Sequence, residues 1–266
     1  MNTNLINAAG LRAQALSLAV AAAAASMAGG NASAEEWQWA ATPYVWATAL
    51  GVGLSVADKE LLDTEIAFDD LVEKLDGAAM VRVEGMRGKH GMAFDLFNVE
   101  LADSVTAALP GDAGAGFALD SAIGLTILDA AGVYNPRGDG KGFSLVYGAR
   151  VIEQRNDIDL ALDHDGMTRA SKSLDATDRF VDGLVGFRYV RQLPHNFSYG
   201  FAADISTGET KLTWSAGPAI GYTFGDHEQY RVTAGYRRMD IDFETAEPVD
   251  TEMSMDGLLL GFRLDF

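Results

Sequence analysis

Residues 255–266 read Met255-Asp256-Gly257-Leu258-Leu259-Leu260-Gly261-Phe262-Arg263-Leu264-Asp265-Phe266. With period two they separate into an apolar row, Leu258, Leu260, Phe262, Leu264 and Phe266, and a second row, Gly257, Leu259, Gly261, Arg263 and Asp265. Successive side chains of a strand point to opposite faces, so the stretch predicts a strand with lipid on one side and small or charged groups on the other. The same arrangement recurs upstream. Val181, Gly183, Val185, Phe187 and Tyr189 oppose Asp182, Leu184, Gly186 and Arg188, and Phe197, Tyr199, Phe201, Ala203 and Ile205 oppose Ser198, Gly200, Ala202 and Asp204.

Working outward from these, further strands are predicted over 37–56, 79–87, 92–101, 119–134, 143–151, 213–224 and 230–237. Tight turns such as Gly88-Lys89-His90-Gly91 and Gly225-Asp226-His227-Glu228 alternate with longer connections. An even number of alternating strands, with short turns on one side and long loops on the other, is the pattern of an outer-membrane barrel. The fold class predicted is therefore all-β, an antiparallel up-and-down transmembrane β-barrel of ten strands, with eight as the alternative. A short amphipathic helix is predicted in the first extracellular loop, between Ala57 and Asp76, where Phe68, Leu71, Val72 and Leu75 follow at i, i+3, i+4 and i+7. Residues 102–118, 156–173 and 244–252 read as loops. Two strands carry misfits that suggest bulges: Pro43 with Trp46 on the more polar face of the first, and Asp129 among Ile123, Leu125, Ile127 and Val133 in the fourth. Tyr189, Tyr222, Phe224, Tyr230 and Phe266 cluster near the tight-turn ends, as an interfacial aromatic girdle does.

The chain has 266 residues, no Cys and 29 Gly. Residues 1–34 hold Arg12 as their only charged side chain, then an Ala- and Leu-rich run and Ala32-Ser33-Ala34, the features of a cleaved signal peptide; residues 35–266 are the barrel domain. The formal charge of -18 makes nucleic acid a poor partner.

The rows opposite the apolar ones bring Arg82, Glu84, Asp95, Arg150, Asp182, Arg188, Asp204, Arg237 and Arg263 into a narrow lumen, where charges pair in a network because an unpaired buried charge is costly. A polar, Arg-lined path for small solutes is the sharper alternative. Of the four His, His90, His195 and His227 fall in predicted turns, and His164 lies between Asp163 and Asp165 in the third long loop, the one candidate base for an outer-leaflet enzyme. Asp157, Asp159, Asp163 and Asp165 do not have the spacing of an EF-hand loop. No phosphate loop, nucleophile elbow or Cys/His metal set is present, so no enzyme activity, cofactor or metal is predicted. A secreted, soluble, lipid-binding barrel is a third possibility, against which the outward aromatic rows and Phe266 argue.

The residues resemble a poorly characterised family of proteobacterial outer-membrane barrels, small barrels of the OmpA/OmpW type. The resemblance is carried by Pro43-Tyr44-Val45-Trp46, Phe68-Asp69-Asp70-Leu71, then Glu84, Arg87, Gly91 and Asp95. It continues through Asp182-Gly183-Leu184-Val185-Gly186-Phe187-Arg188-Tyr189, Asp204, Leu212-Thr213-Trp214 and Gly235-Tyr236-Arg237. His90 stands where the family has Trp, and Ile205-Ser206-Thr207-Gly208 departs from its Gly-rich run. The resemblance implies an outer-membrane location, a monomer, and outer-membrane lipid and lipopolysaccharide as surroundings. The row Leu258, Leu260, Phe262, Leu264 and Phe266 resembles the closing-strand signal that the barrel-assembly machinery recognises, after delivery by periplasmic chaperones. The family supplies no established activity, so the function implied is an integral barrel, structural or a narrow passive path for small solutes.

Overall fold

The computed structural model describes residues 36–56, 59–66, 75–108, 115–164, 167–243 and 249–266. The signal peptide expected over 1–34 lies outside them. Eleven strands form one antiparallel sheet: β1 Gln38–Val56, β2 Lys59–Ile66, β3 Leu75–Arg87, β4 His90–Ala108, β5 Ala115–Tyr134, β6 Gly142–His164, β7 Met167–Gln192, β8 Phe197–Gly208, β9 Thr210–Phe224, β10 Tyr230–Phe243 and β11 Val249–Asp265. From β3 onward each strand pairs with its neighbour in sequence, β1 pairs with both β2 and β3, and β11 returns to β1 in one register from Ala40↔Asp265 to Val56↔Val249, with a lapse at Thr42 and Pro43, which closes the sheet. Strand β2 pairs only with the far half of β1, Leu50 to Val56, while β3 pairs with the near half, Gln38 to Pro43. Together they occupy one place in the wall, so the barrel has ten strands. Closure removes the open edge that a terminal strand such as β11 would present.

One end of the barrel carries the tight turns and both ends of the described wall. Gly88, with φ of 55°, turns β3 into β4 at the pair Arg87↔His90. Asn135, completely buried, clasps the turn after β5: its amide donates to the carbonyls of Lys141 and Phe143 and to Ser144 Oγ, and its oxygen accepts from the Gly138 N–H. In the same turn Arg137 donates to Asp139 and holds its carboxyl below the usual range. The other end carries the long hairpins. Strands here run well past the predicted loops: 102–118 and 156–173 are largely β4–β5 and β6–β7 ladder, since pairing satisfies the backbone of a stretch with too little apolar surface to pack as a loop. The predicted helix lies mostly outside the described residues. Leu75, the last residue of its apolar stripe, opens β3, and 59–66, ahead of the stripe, pair with β1. Among the described residues no helix is long and apolar enough to cross a membrane.

The outer surface follows the period-two reading. Leu258, Leu260, Phe262, Leu264 and Phe266 are all exposed on it, as are Val181, Val185, Phe187, Tyr189, Phe197, Tyr199 and Phe201. Apolar residues exposed all round a closed barrel make a lipid-facing band. Near the turns an aromatic chain runs over the outside from Phe197 to Tyr222, Phe224, Tyr230 and Phe262, with ring centroids 5.0 to 6.3 Å apart.

Neither predicted bulge is present. The β1–β11 pairing lapses at Thr42 and Pro43 but resumes in the same register, and Trp46 faces inward, 2% exposed, because the interior at its level is apolar. Strand β5 is equally regular, and Leu125, Ile127, Asp129 and Val133 share its inner face, with Leu128 outside.

Candidate functional site

The lumen is the site, and it is built in two storeys. Near the turns the inward positions are charged. Arg82 sits opposite Asp95 in the β3–β4 ladder and bonds it at 3.3 Å, and Tyr44 Oη donates to the other carboxylate oxygen at 2.8 Å. Glu84, buried, gathers three guanidinium groups: Arg188 Nη2 at 2.8 Å, Arg82 at 3.3 Å and Arg263 at 3.9 Å. Arg263 also bonds Asp265 at 2.7 Å, and Arg231 donates to Thr223 Oγ1 at 3.0 Å.

Arg150 is fully buried and bridges two strands. It binds Asp129 through a pair of parallel bonds of 2.7 Å and Asp204 at 2.9 Å, and Ser215 Oγ donates to the second oxygen of Asp204 at 2.7 Å. Such forked, charge-assisted bonds fix orientation as well as energy. Asp182 lies beside Arg150 in the β6–β7 ladder but is not its partner. Its two oxygens are occupied by the N–H groups of Glu209 and Thr210, each at 3.0 Å, and by the hydroxyls of Ser206 and Thr210. With Asp182 saturated, the guanidinium turns to the carboxylates on β5 and β8.

Beyond this level the interior becomes apolar on the side of β10, β11, β1 and β4–β6, while Ser206, Thr210 and Thr213 keep the β8–β9 side polar. Trp46, Phe97, Ile127, Ile152, Met239, Ile241, Phe243 and Met255 are buried in one cluster, with Met80, Phe180 and Leu259 packed against it. Arg237 marks the boundary: its guanidinium lies over the Trp46 ring, 4.9 Å from the centroid, and donates to Ser215 Oγ at 3.4 Å. Two polar cavities of about 250 and 290 Å³ lie among the charges, sharing Thr42, Arg82 and Asp204. A third, apolar cavity of about 140 Å³ lies in the upper storey.

The structure thus brings Arg82, Glu84, Asp95, Arg188 and Arg263 into one connected group and Arg150 and Asp204 into another. Arg237 it places on an aromatic face, and Asp182 among hydroxyls and amides. Sequence reasoning missed Asp129, Tyr44, Arg231 and Asp265. The hairpin offered a signal for Asp129: counted back from the turn at 135–141, Asp129 and Arg150 are opposite each other. That row looked lipid-facing because it is apolar, and it is apolar because the upper lumen is. His164 is the last residue of β6 rather than part of a loop, and Asp165 lies outside the described residues. Asp157 and Asp159 pair across the β6–β7 ladder with Asp175 and Ser173. Among the described residues no three acidic or His side chains are grouped to hold a metal.

A closed ten-stranded antiparallel barrel with an apolar outer band and a side-chain-filled lumen defines the class: a β-barrel of the transmembrane type. Solved structures to which the chain is similar include the outer membrane protease OmpT from Escherichia coli, at 10% identity and TM-score 0.45 over 87% of this chain and 97% of that one. The translocator domain of the autotransporter NalP from Neisseria meningitidis is similar at 12% identity and TM-score 0.38, over 98% of each chain. Ail, the attachment invasion locus protein of Yersinia pestis, is similar at 8% identity and TM-score 0.36, over 87% and 99%. No family model and no curated protein matches the chain.

Proposed function

We propose that the protein is an integral barrel of the bacterial outer membrane whose lumen is shut to ions and polar solutes, a structural component of the envelope and not an enzyme. The observation that carries this reading is the upper storey: buried Trp46, Phe97, Ile127, Ile152, Met239 and Met255 come from β1, β4, β5, β6, β10 and β11 and meet in one cluster, with the buried hydroxyls of Ser206, Thr210 and Thr213 on the β8–β9 side. A hydrophobic constriction excludes water and hydrated ions. The polar cavities below it are vestibules that end at this layer, which disfavours a passive path. Outer-membrane lipid and lipopolysaccharide surround the barrel on this reading. The row ending at Phe266 is what the assembly machinery meets. Liposomes carrying the refolded protein test the proposal. They are expected to swell no faster in isosmotic arabinose than protein-free liposomes, and swelling that scales with protein content would establish a solute path instead.

A further inference from the structure

The widest gap in the ladder of the described wall lies between β1 and β3. Strand β1 pairs with β3 up to Pro43↔Val81 and with β2 from Leu50↔Ile66 onward. Continued register would set Tyr44 opposite Met80 and Ala49 opposite Leu75, but these two stretches do not pair with one another. Pro43, at the last paired position, has no N–H to donate. Three residues on, the Trp46 N–H, which in a ladder would meet a carbonyl, donates instead to Met80 Sδ at 3.2 Å. In hydrocarbon a backbone N–H without a carbonyl is costly, so such a seam is unusual within a lipid-facing wall.

The apolar cavity lies at this seam. Val45, Trp46, Thr48 and Leu50 line it from β1, and Leu75, Ala78 and Met80 from β3. Its inner side is formed by Phe97, Leu125, Met253 and Met255. Val45 is 59% exposed on the outer surface while Trp46 and Met255 are each 2% exposed, so one cavity reaches from the lipid face into the barrel. Its floor is the packed cluster above Arg237, and Val45 opens it on the lipid side. At about 140 Å³ it matches the cavity of about 150 Å³ that stays dry and takes benzene in another protein. The Trp46 indole N–H is buried with no hydrogen-bond partner among the described residues, and that ring lines the cavity.

From this geometry we infer that the barrel holds a binding site for a small hydrocarbon group, entered sideways from the lipid phase through the parted β1–β3 seam. The inference rests on the barrel standing in lipid. The occupant is either a free apolar solute about the size of one aromatic ring or the end of a lipid acyl chain, and both are recognised by the same apolar lining.

Methionine methyl resonances of the full-length barrel in lipid nanodiscs test this, because Met80, Met253 and Met255 line the cavity whereas Met92 is exposed on the outer face. On titration with benzene, Met80, Met253 and Met255 are expected to shift to saturation while Met92 moves linearly as benzene partitions into the bilayer. Phospholipid carrying a doxyl group on its acyl chain is expected to broaden Met92 alone if the occupant is a free solute, and the three cavity methyls as well if it is a lipid tail. Linear shifts at every methionine together with no broadening of the cavity methyls would overturn the inference. Ala78→Phe, which fills the cavity, is expected to abolish saturation, and Ala78→Leu serves if Phe prevents folding; saturation unchanged in a folded variant would also overturn it. Failure of the membrane reading looks different, since Met92 would then respond to neither probe.

Discussion

Arg150 shows at the scale of a single residue how the charged storey holds the wall together. A guanidinium with no exposed surface, held by carboxylates from β5 and β8, ties together strands that do not adjoin. Removing it leaves Asp129 and Asp204 facing each other in a low dielectric, and stranding buried charges costs about 3–5 kcal/mol. Arg150→Met is expected to lower stability by that order in urea unfolding followed by gel mobility, and adding Asp129→Asn to recover part of the loss. A double variant no more stable than the single would mean that the charges are not what Arg150 neutralises. Asp182 makes a different prediction. It accepts four hydrogen bonds from hydroxyls and amides and no guanidinium, so Asp182→Asn keeps an acceptor for the two N–H groups and donors for the two hydroxyls. The Ala variant strands these donors, at about 1–3 kcal/mol. The same unfolding assay should place Asn close to the native protein and Ala well below it.

At the scale of the elements, the period-two signal was legible wherever one face meets lipid and the other meets small or charged groups, as in 180–189, 197–205 and 255–266. It failed in two physically distinct ways. Where the lumen itself is apolar, at Leu125 and Ile127 on β5 and at Trp46 on β1, both faces are apolar, and inside cannot be told from outside by polarity. Polar hairpin extensions failed for the opposite reason: residues 170–179 are exposed on both faces, so composition reads as loop while the backbone continues to pair with 153–162. Of the charged site, the residues on clean strands were legible. Asp129 was not, and the aromatic partner of Arg237 needed three dimensions. Beyond Asn156 the β6–β7 hairpin joins the rest of the sheet only through the β5 extension, 115–122. Excising 157–175 and joining Asn156 to Ala176, which are paired, through an Asn-Gly turn is expected to leave a folded barrel with its heat-modifiable gel shift. Loss of the shift would show that the extension is needed for the wall to close.

For the whole molecule, the proposed reading is a barrel sealed across its axis and parted most widely in its side between β1 and β3. The charged storey fixes the strands to one another near the turns, the apolar storey excludes water above it, and the seam between β1 and β3 gives the upper storey its contact with lipid. The measurement that bears most directly on this is conductance across planar bilayers containing the refolded barrel, with heat-modifiable mobility confirming that it has folded. A sealed lumen predicts no channel steps from folded protein at any protein density. Discrete, reproducible steps that vanish on heat unfolding would contradict it, because they would require a continuous water path through the layer of Trp46, Phe97, Ile152 and Met239.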